Sequence, residues 1–257
     1  MDPAEIIRIK DILPTTLGSA ELRASVSADI LRRSIFSARM ASVPYLTRVR
    51  ELCAAIVAGK INQAEARKEM LSLLGQMGHS PSDDGGIKNP AAIRRLNLII
   101  DTNRQMAASV SRLMTQTEGT INAYPAWELT RLVDKAAPRP DWMARWHLAG
   151  RACGFEGALH DRFIALKTSP IWAELGSGGG VFKDTLGNPY PPFAYNSGMA
   201  WVAVDRDTCV RLGLITADEH LTLGDAPKGE LSPTDREISD AAARSGFSIE
   251  DLEGALQ

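Results

Sequence analysis

The chain has 257 residues, 44% hydrophobic and 23% charged, enough apolar material for one large or two modest cores. No apolar run approaches the ~20 residues of a membrane-spanning helix, and the acidic start Met1-Asp2-Pro3-Ala4-Glu5 is unlike a secretion signal, so the chain is expected to stay in the cytoplasm where it is made. The net charge of −2 hides three different regions: residues 1–117 hold 16 basic and 11 acidic side chains (+5), residues 118–215 hold 10 of each, and residues 216–257 hold 3 and 10 (−7).

In chain order, Ile6, Ile7, Ile9, Ile12 and Leu13 form a short amphipathic piece that stops before Pro14. From Ser19 to Ala58 the apolar residues Leu22, Val26, Ile30, Ile35, Met40, Val43, Leu46, Val49, Leu52 and Ile56 recur at helical spacing, and Pro44 marks a break or kink between two helices. Gly59 suits a helix C-terminus. Asn62 with Glu65 makes a capping pair for the next helix, which carries Ala66, Met70, Leu73, Leu74 and Met77. His79 to Lys88 has the Ser/Pro/Asp/Gly composition of a loop. Asn89-Pro90 then restarts a long helix with Ile93, Leu96, Ile100, Ala107, Val110 and Met114 on its apolar stripe. Beside that stripe, Asn97, Asp101 and Arg104 form either a seam for another subunit or a local row of hydrogen bonds and ion pairs.

After Gly119 the pattern turns mixed. Trp127 to Val133 and Phe163 to Leu166 read as strands, Ala136 to Pro140 as a turn, Asp141 to Leu148 as a helix capped by Asp141, and Pro170 to Leu175 as a helical turn. Gly176 to Gly180 reads as a flexible connector; no Lys-Ser/Thr follows it, so it does not spell a phosphate loop. In the next stretch Gly187-Asn188-Pro189 sets a turn, Pro191-Pro192 holds the chain extended, and Asn196-Ser197-Gly198 turns it again. Trp201 to Val204 is a short buried strand ending at Asp205-Arg206-Asp207, ahead of the apolar run Val210 to Ile215. Tyr190, Phe193, Tyr195 and Trp201 give this stretch a rigid aromatic lining, and rigid rings cost little conformational entropy on binding. They are the candidate protein-interaction residues.

Beyond Ile215 the chain is acidic, with Leu221 to Gly229 as a linker and Pro233 to Gln257 as two short helices capped by Ser232 and Ser248. Helices this short need a surface, either the chain's own basic region or another protein. The expected fold class is α+β: an N-terminal helical region (1–118), a small loop-rich α+β domain with short strands (119–215), and a helical acidic C-terminal tail (216–257).

No catalytic, cofactor or metal site is expected. Cys53, Cys153 and Cys209 are odd in number and outside any CxxC, and read as small buried hydrophobes. His147 and His160 flank Cys153 without the spacing of a metal motif. Asp184, Asp205 and Asp207 could join His147 in a hydrolase centre, but aspartates at turns and strand ends commonly bond backbone amides instead. The basic N-terminal part suits an acidic partner or nucleic acid and equally a solvated surface; it lacks a dense Lys/Arg patch interleaved with stacking aromatics.

The string Asp184-x-Leu186-Gly187-Asn188-Pro189-Tyr190-Pro191-Pro192-Phe193-Ala194-Tyr195-Asn196-Ser197-Gly198-Met199, with Val204-Asp205-Arg206 and Leu212-Gly213-Leu214, resembles the C-terminal domain of phage head morphogenesis proteins, the Mu F-like minor head family. Leu98 to Ala107 resembles that family's Asp-Thr-Asn helix, and Trp142 to Gly150, Ala165-Leu166-Lys167 and Pro170-Ile171-Trp172 resemble one of its branches. The likeness covers roughly residues 30 to 215.

The resemblance implies a non-enzymatic structural protein of a phage or prophage, acting in capsid assembly near the portal. Its implied partners are portal and capsid subunits, with a weak contact to packaged DNA and neither a membrane nor a small-molecule substrate. It implies the host cytoplasm during assembly and then the virion head. Many members end the domain with a cysteine pair after Trp-Asn; Asn196-Ser197-Gly198-Met199 stands there in this chain, so cysteine ligation does not carry over. The alternative is a phage-encoded nuclease or other hydrolase on the same domain, against which stand the short stretch after Ile215 and its lack of a His/Lys/Glu cluster.

Overall fold

A computed structural model describes residues 1–80, 89–133, 139–155, 161–223 and 240. The fold is α+β, with ten α-helices and two small sheets among the described residues. The chain divides into two compact units, Met1–Ala108 and a second within Ser109–Gly229. The division falls inside a helix rather than at residues 118/119, where the composition changes. No described helix is long and apolar enough to cross a membrane. His160, the 81–88 part of the expected loop, most of the 136–140 turn and the two tail helices lie outside the described residues.

The first unit is built from capped helices. Helix α1 (Pro3–Arg8) starts where the Asp2 carboxylate accepts the Ala4 N–H at 3.3 Å and Pro3 occupies the first turn. Strand β1 (Asp11–Ile12) pairs in parallel with β2 (Ser34–Ile35). Three helices, not two, follow in the Ser19–Ala58 stretch: α2 (Ser19–Ser25), α3 (Ala28–Arg33) and α4 (Val43–Val57). Val26 is extended and Ser27 caps α3, which ends the periodicity early. Pro44 lies in the first turn of α4, where its missing N–H costs no hydrogen bond, so it begins a helix instead of kinking one.

Gly59 takes a φ of 70° at the end of α4. Asn62 and Glu65 form the expected reciprocal cap of α5 (Gln63–Gln76), each bond 2.9 Å long. Helix α6 (Ile93–Met114) starts later than Pro90, because the Asn89 side chain takes the Ala91 N–H at 2.8 Å and folds Asn89 to Ala92 into a turn. Leu96, Ile100, Ala107 and Val110 are buried, whereas Ile93 and Met114 at its ends are exposed and leave the stripe. The row beside the stripe is satisfied within the chain: Gln63 reaches Asp101 at 3.2 Å and Arg67 reaches Asn97 at 2.9 Å.

The second unit centres on a three-stranded antiparallel sheet in the order β4-β3-β5. Its strands are β3 (Ala126–Arg131), β4 (Ile164–Leu166) and β5 (Met199–Val204), with Trp127 opposite both Ala165 and Ala203, and Leu129 opposite Trp201. One face carries Ala126, Ile164 and Val204 against Cys209 and Ile215. Alternation puts Trp127, Leu129 and Trp201 on the other face. Val202 and Ala203 are exposed, so β5 is buried only in part.

Helix α7 (Glu118–Ala123) precedes β3, and α8 (Trp142–Cys153) runs on past Leu148 to Gly154, whose φ is 72°. Asp141 makes no side-chain cap for α8; its carboxylate accepts from Arg145 at 3.0 Å. Gly176 to Gly180 is not a connector. Gly176 belongs to α9 (Ile171–Ser177), and a Cβ there would sit 1.9 Å from the Asn188 carbonyl oxygen. Helix α10 (Arg206–Arg211) is capped by Asp205. The unit extends past Ile215, because Asn122 and Leu221 exchange two hydrogen bonds of 2.9 Å and Arg206 donates to the carbonyls of Ala217 and Glu219.

Candidate functional site

The turn-rich stretch of the second unit is held by side chains that close on its backbone. Asp184 accepts from Arg145 at 2.7 Å and from Arg139, and Arg145 also pairs with Asp141 at 2.9 Å. Arg145 is 5% exposed, with its guanidinium carbon 4.1 Å from the centre of the Phe182 ring and 5.3 Å from Trp142. The cation thus combines charge-assisted bonds to two carboxylates with attraction to two aromatic rings. Arg139 also donates to the Tyr195 carbonyl and Arg131 to that of Ser197, the latter at 3.0 Å. Arg131 and Arg139 thus satisfy backbone acceptors that no sheet or helix reaches, while Arg145 holds carboxylates.

The loop closes on itself as well. Leu186 N–H meets the Phe193 carbonyl at 3.0 Å, Tyr195 N–H that of Asp184 at 3.1 Å, and Gly187 N–H that of Gly176 at 3.0 Å. Asn188 Nδ2 donates to Pro192 at 3.3 Å, and the Pro191-Pro192 bond is cis. Asn196 has a φ of 54°, the left-handed turn its short polar side chain tolerates. Ser197 Oγ takes the Met199 N–H at 3.2 Å and so starts β5.

Of the four candidate interaction residues, Tyr190, Phe193 and Trp201 are buried and Tyr195 is half-buried. Trp201 stacks on Trp127 with ring centres 5.2 Å apart and meets Trp172 at 5.4 Å and Phe193 at 6.0 Å. Trp146 joins through Trp172 at 5.6 Å. These rings form the core under the turn-rich stretch, so three of its four candidate aromatic residues face inward and only Tyr195 reaches the surface. The surface instead shows Leu132, Val133 and Met143, 58%, 46% and 38% exposed. Met143 lines a groove of about 390 Å³ with Arg131, Arg139, Arg162, Trp142 and Met199. Arg162 on the rim is paired with Glu128 at 2.6 and 2.8 Å.

Comparison of the chain with protein-family models, curated proteins and solved structures finds no match.

The acid–base candidates are engaged separately. Asp184 is held by arginines, and Asp205 takes the Thr208 N–H and hydroxyl, each at 2.8 Å, which hold its carboxyl below its ordinary range. Asp207 is exposed on α10 and His147 half-buried on α8. Among the described residues no group of three His, Cys, Asp or Glu is placed to hold a metal ion. Cys53 and Cys209 are buried thiols, and burial pushes Cys53 up to about 12; Cys153 is half-buried. The arginines that hold the turn-rich stretch were missed in the sequence. Asp141 and Arg145, four apart on an expected helix, were a usable signal for one of them.

Proposed function

We propose that this chain is a minor head protein of a phage or prophage, working in capsid assembly near the portal by protein–protein contact rather than by catalysis. The observation that carries this reading is how the family-like string is used. Asp184, Asn188 and Ser197 all spend their side chains on shaping the loop, and Phe193 and Trp201 fill the core beneath it. A motif used in this way encodes a rigid shape, and a preformed surface loses little entropy when a partner docks. The contact surface combines Tyr195 with the exposed Leu132, Val133 and Met143, apolar side chains beside a groove lined by three arginines.

Portal and capsid subunits are the partners of this reading, with contact to packaged DNA secondary. The protein acts in the host cytoplasm during assembly and ends in the head. Mass spectrometry of purified proheads and mature particles tests it: the chain is expected at a few copies relative to the major capsid protein. Complete absence from both particles overturns the reading.

A further inference from the structure

Lys167 follows β4 directly and lies on the sheet face that carries Trp127. Its ammonium is 4.1 Å from the centre of the Trp127 ring, although the residue is only 5% exposed. Arg112, in the last turn of α6, brings its guanidinium carbon to 5.9 Å from the same ring and donates to the Trp201 carbonyl at 2.8 Å. Among the described residues neither cation has a carboxylate partner, and the lysine ammonium has no hydrogen-bond acceptor beyond the indole face. Nearby donors share the deficit: the indole nitrogens of Trp127 and Trp201 are buried without acceptors.

Two cations on one ring with no negative charge opposite among the described residues is a costly arrangement, above all for the nearly buried Lys167. An indole face returns about 0.5–2 kcal/mol to a cation, less than the several kcal/mol that taking an ion out of water costs. Burial first, and then Arg112, pull the Lys167 ammonium down to about 8. A negative group reaching both cations would relieve desolvation and repulsion together. Arg112 is exposed, and so is Ala203, which pairs with Trp127 on the same face, so the pair can be approached from solvent.

We propose that Lys167 and Arg112, seated on Trp127, form a receptor for a single carboxylate, the Asp or Glu side chain of a protein partner. A nearly buried ammonium admits one slim group and not a run of phosphates. Residues 109–215, which include both cations, carry 11 basic and 10 acidic side chains, a near balance that disfavours a polyanion. A nearly buried ammonium beside an exposed guanidinium, both on a tryptophan face, offers a charged anchor of the kind found at interface hot spots. The receptor does not depend on the assembly role: heads that contain the protein would leave that role standing even if the receptor failed.

The test uses the full chain and three probes: the capped peptide acetyl-Gly-Gly-Glu-Gly-Gly-amide, its Gln counterpart, and a short oligothymidylate. Tryptophan fluorescence reports on the ring beneath the cations, and thermal melting reports binding independently. The Glu peptide is expected to give a saturable change, with the Gln peptide at least about tenfold weaker. Lys167→Met and Arg112→Gln should each weaken the Glu peptide by about tenfold or more. Arg112→Gln alters an exposed side chain, so its loss of binding at an unchanged near-UV spectrum is separable from unfolding. Equal responses to the Glu and Gln peptides, no response to the Glu peptide, or oligothymidylate binding more tightly through the same two residues would each overturn the proposal.

Discussion

The two units solve the same problem by opposite means. In the first, regular helices satisfy their own backbone, and side chains are free to form apolar stripes: Leu46, Val49, Leu52 and Leu96 are buried at helical spacing. In the second, long irregular segments leave carbonyls without partners, and arginines supply the donors: Arg131 to Ser197, Arg139 to Tyr195 and Arg206 to Ala217 and Glu219. The first unit uses the same device where it too is irregular, with Arg50 on the Lys10 carbonyl and Arg95 on that of Ala38, and its Arg23 and Arg33 donate four residues back to the helix carbonyls of Ser19 and Asp29. A buried backbone group must find a partner somewhere, and where neither helix nor sheet supplies one an arginine does.

Glycine substitution should break this contrast most sharply. Gly176→Ala drives a Cβ into the Asn188 backbone at 1.9 Å, and backbone cannot rotate aside as a side chain does. A loss of about 3 kcal/mol or more is expected in urea denaturation, with the near-UV signal of the tryptophan core lost first. Gly75→Ala, inside α5 with nothing within 4 Å, should instead gain up to about 1 kcal/mol. Equal effects at the two glycines would remove the distinction between a close-packed and an open backbone.

Next in size is the arginine contrast. Arg145→Met leaves Asp141 and Asp184 without their buried partner and should cost about 2–3 kcal/mol, below the range for fully buried pairs because both carboxylates are about a third exposed. Arg48→Met in the first unit removes pairs to Glu51 and Glu69 in which both partners are exposed, and should cost less than about 1 kcal/mol in the same measurement.

The buried lysines sharpen the comparison further. Lys10 lies in the first unit with its amine 3.0 Å from Asn103 Oδ1, and burial pulls it down to about 8, opposed weakly by Cys53. Between pH 8 and 10.5 the unfolded chain holds a proton on Lys10 that the folded chain has released, so this group makes stability rise with pH across that window. Below pH 8 both states are protonated and the full desolvation penalty stands. Lys10→Met should therefore stabilise by about 2 kcal/mol at pH 7, and its advantage should shrink as pH rises from 8 to 10.5. Comparing each variant with the parent at every pH cancels the opposing ionisation of Tyr45, and that of Cys53 apart from its coupling to Lys10; burial holds both groups protonated to higher pH. Lys167→Met should show the same trend with a smaller gain at pH 7, since it also gives up the contact with Trp127. An advantage that grows with pH would reverse the sign of the argument.

Whatever depends on neighbours along the chain could be read before the fold was known. Helical spacing, the Asn62–Glu65 cap, Gly59 at a helix end and the strands around Trp127, Ile164 and Trp201 were all legible, because each is written within a few residues. Local readings failed where a distant segment competed for the same atoms. Asp141 gives its carboxylate to Arg145 rather than to a cap, Gly176 yields its space to Asn188, and Tyr190, Phe193 and Trp201 turn inward onto an aromatic core drawn from β3, α8 and α9. Only the tertiary structure decided that Lys167 and Arg112, 55 residues apart in the chain, would share one indole. Their convergence depends on strand register and on the path of α6, and no local pattern of charge or hydrophobicity encodes either.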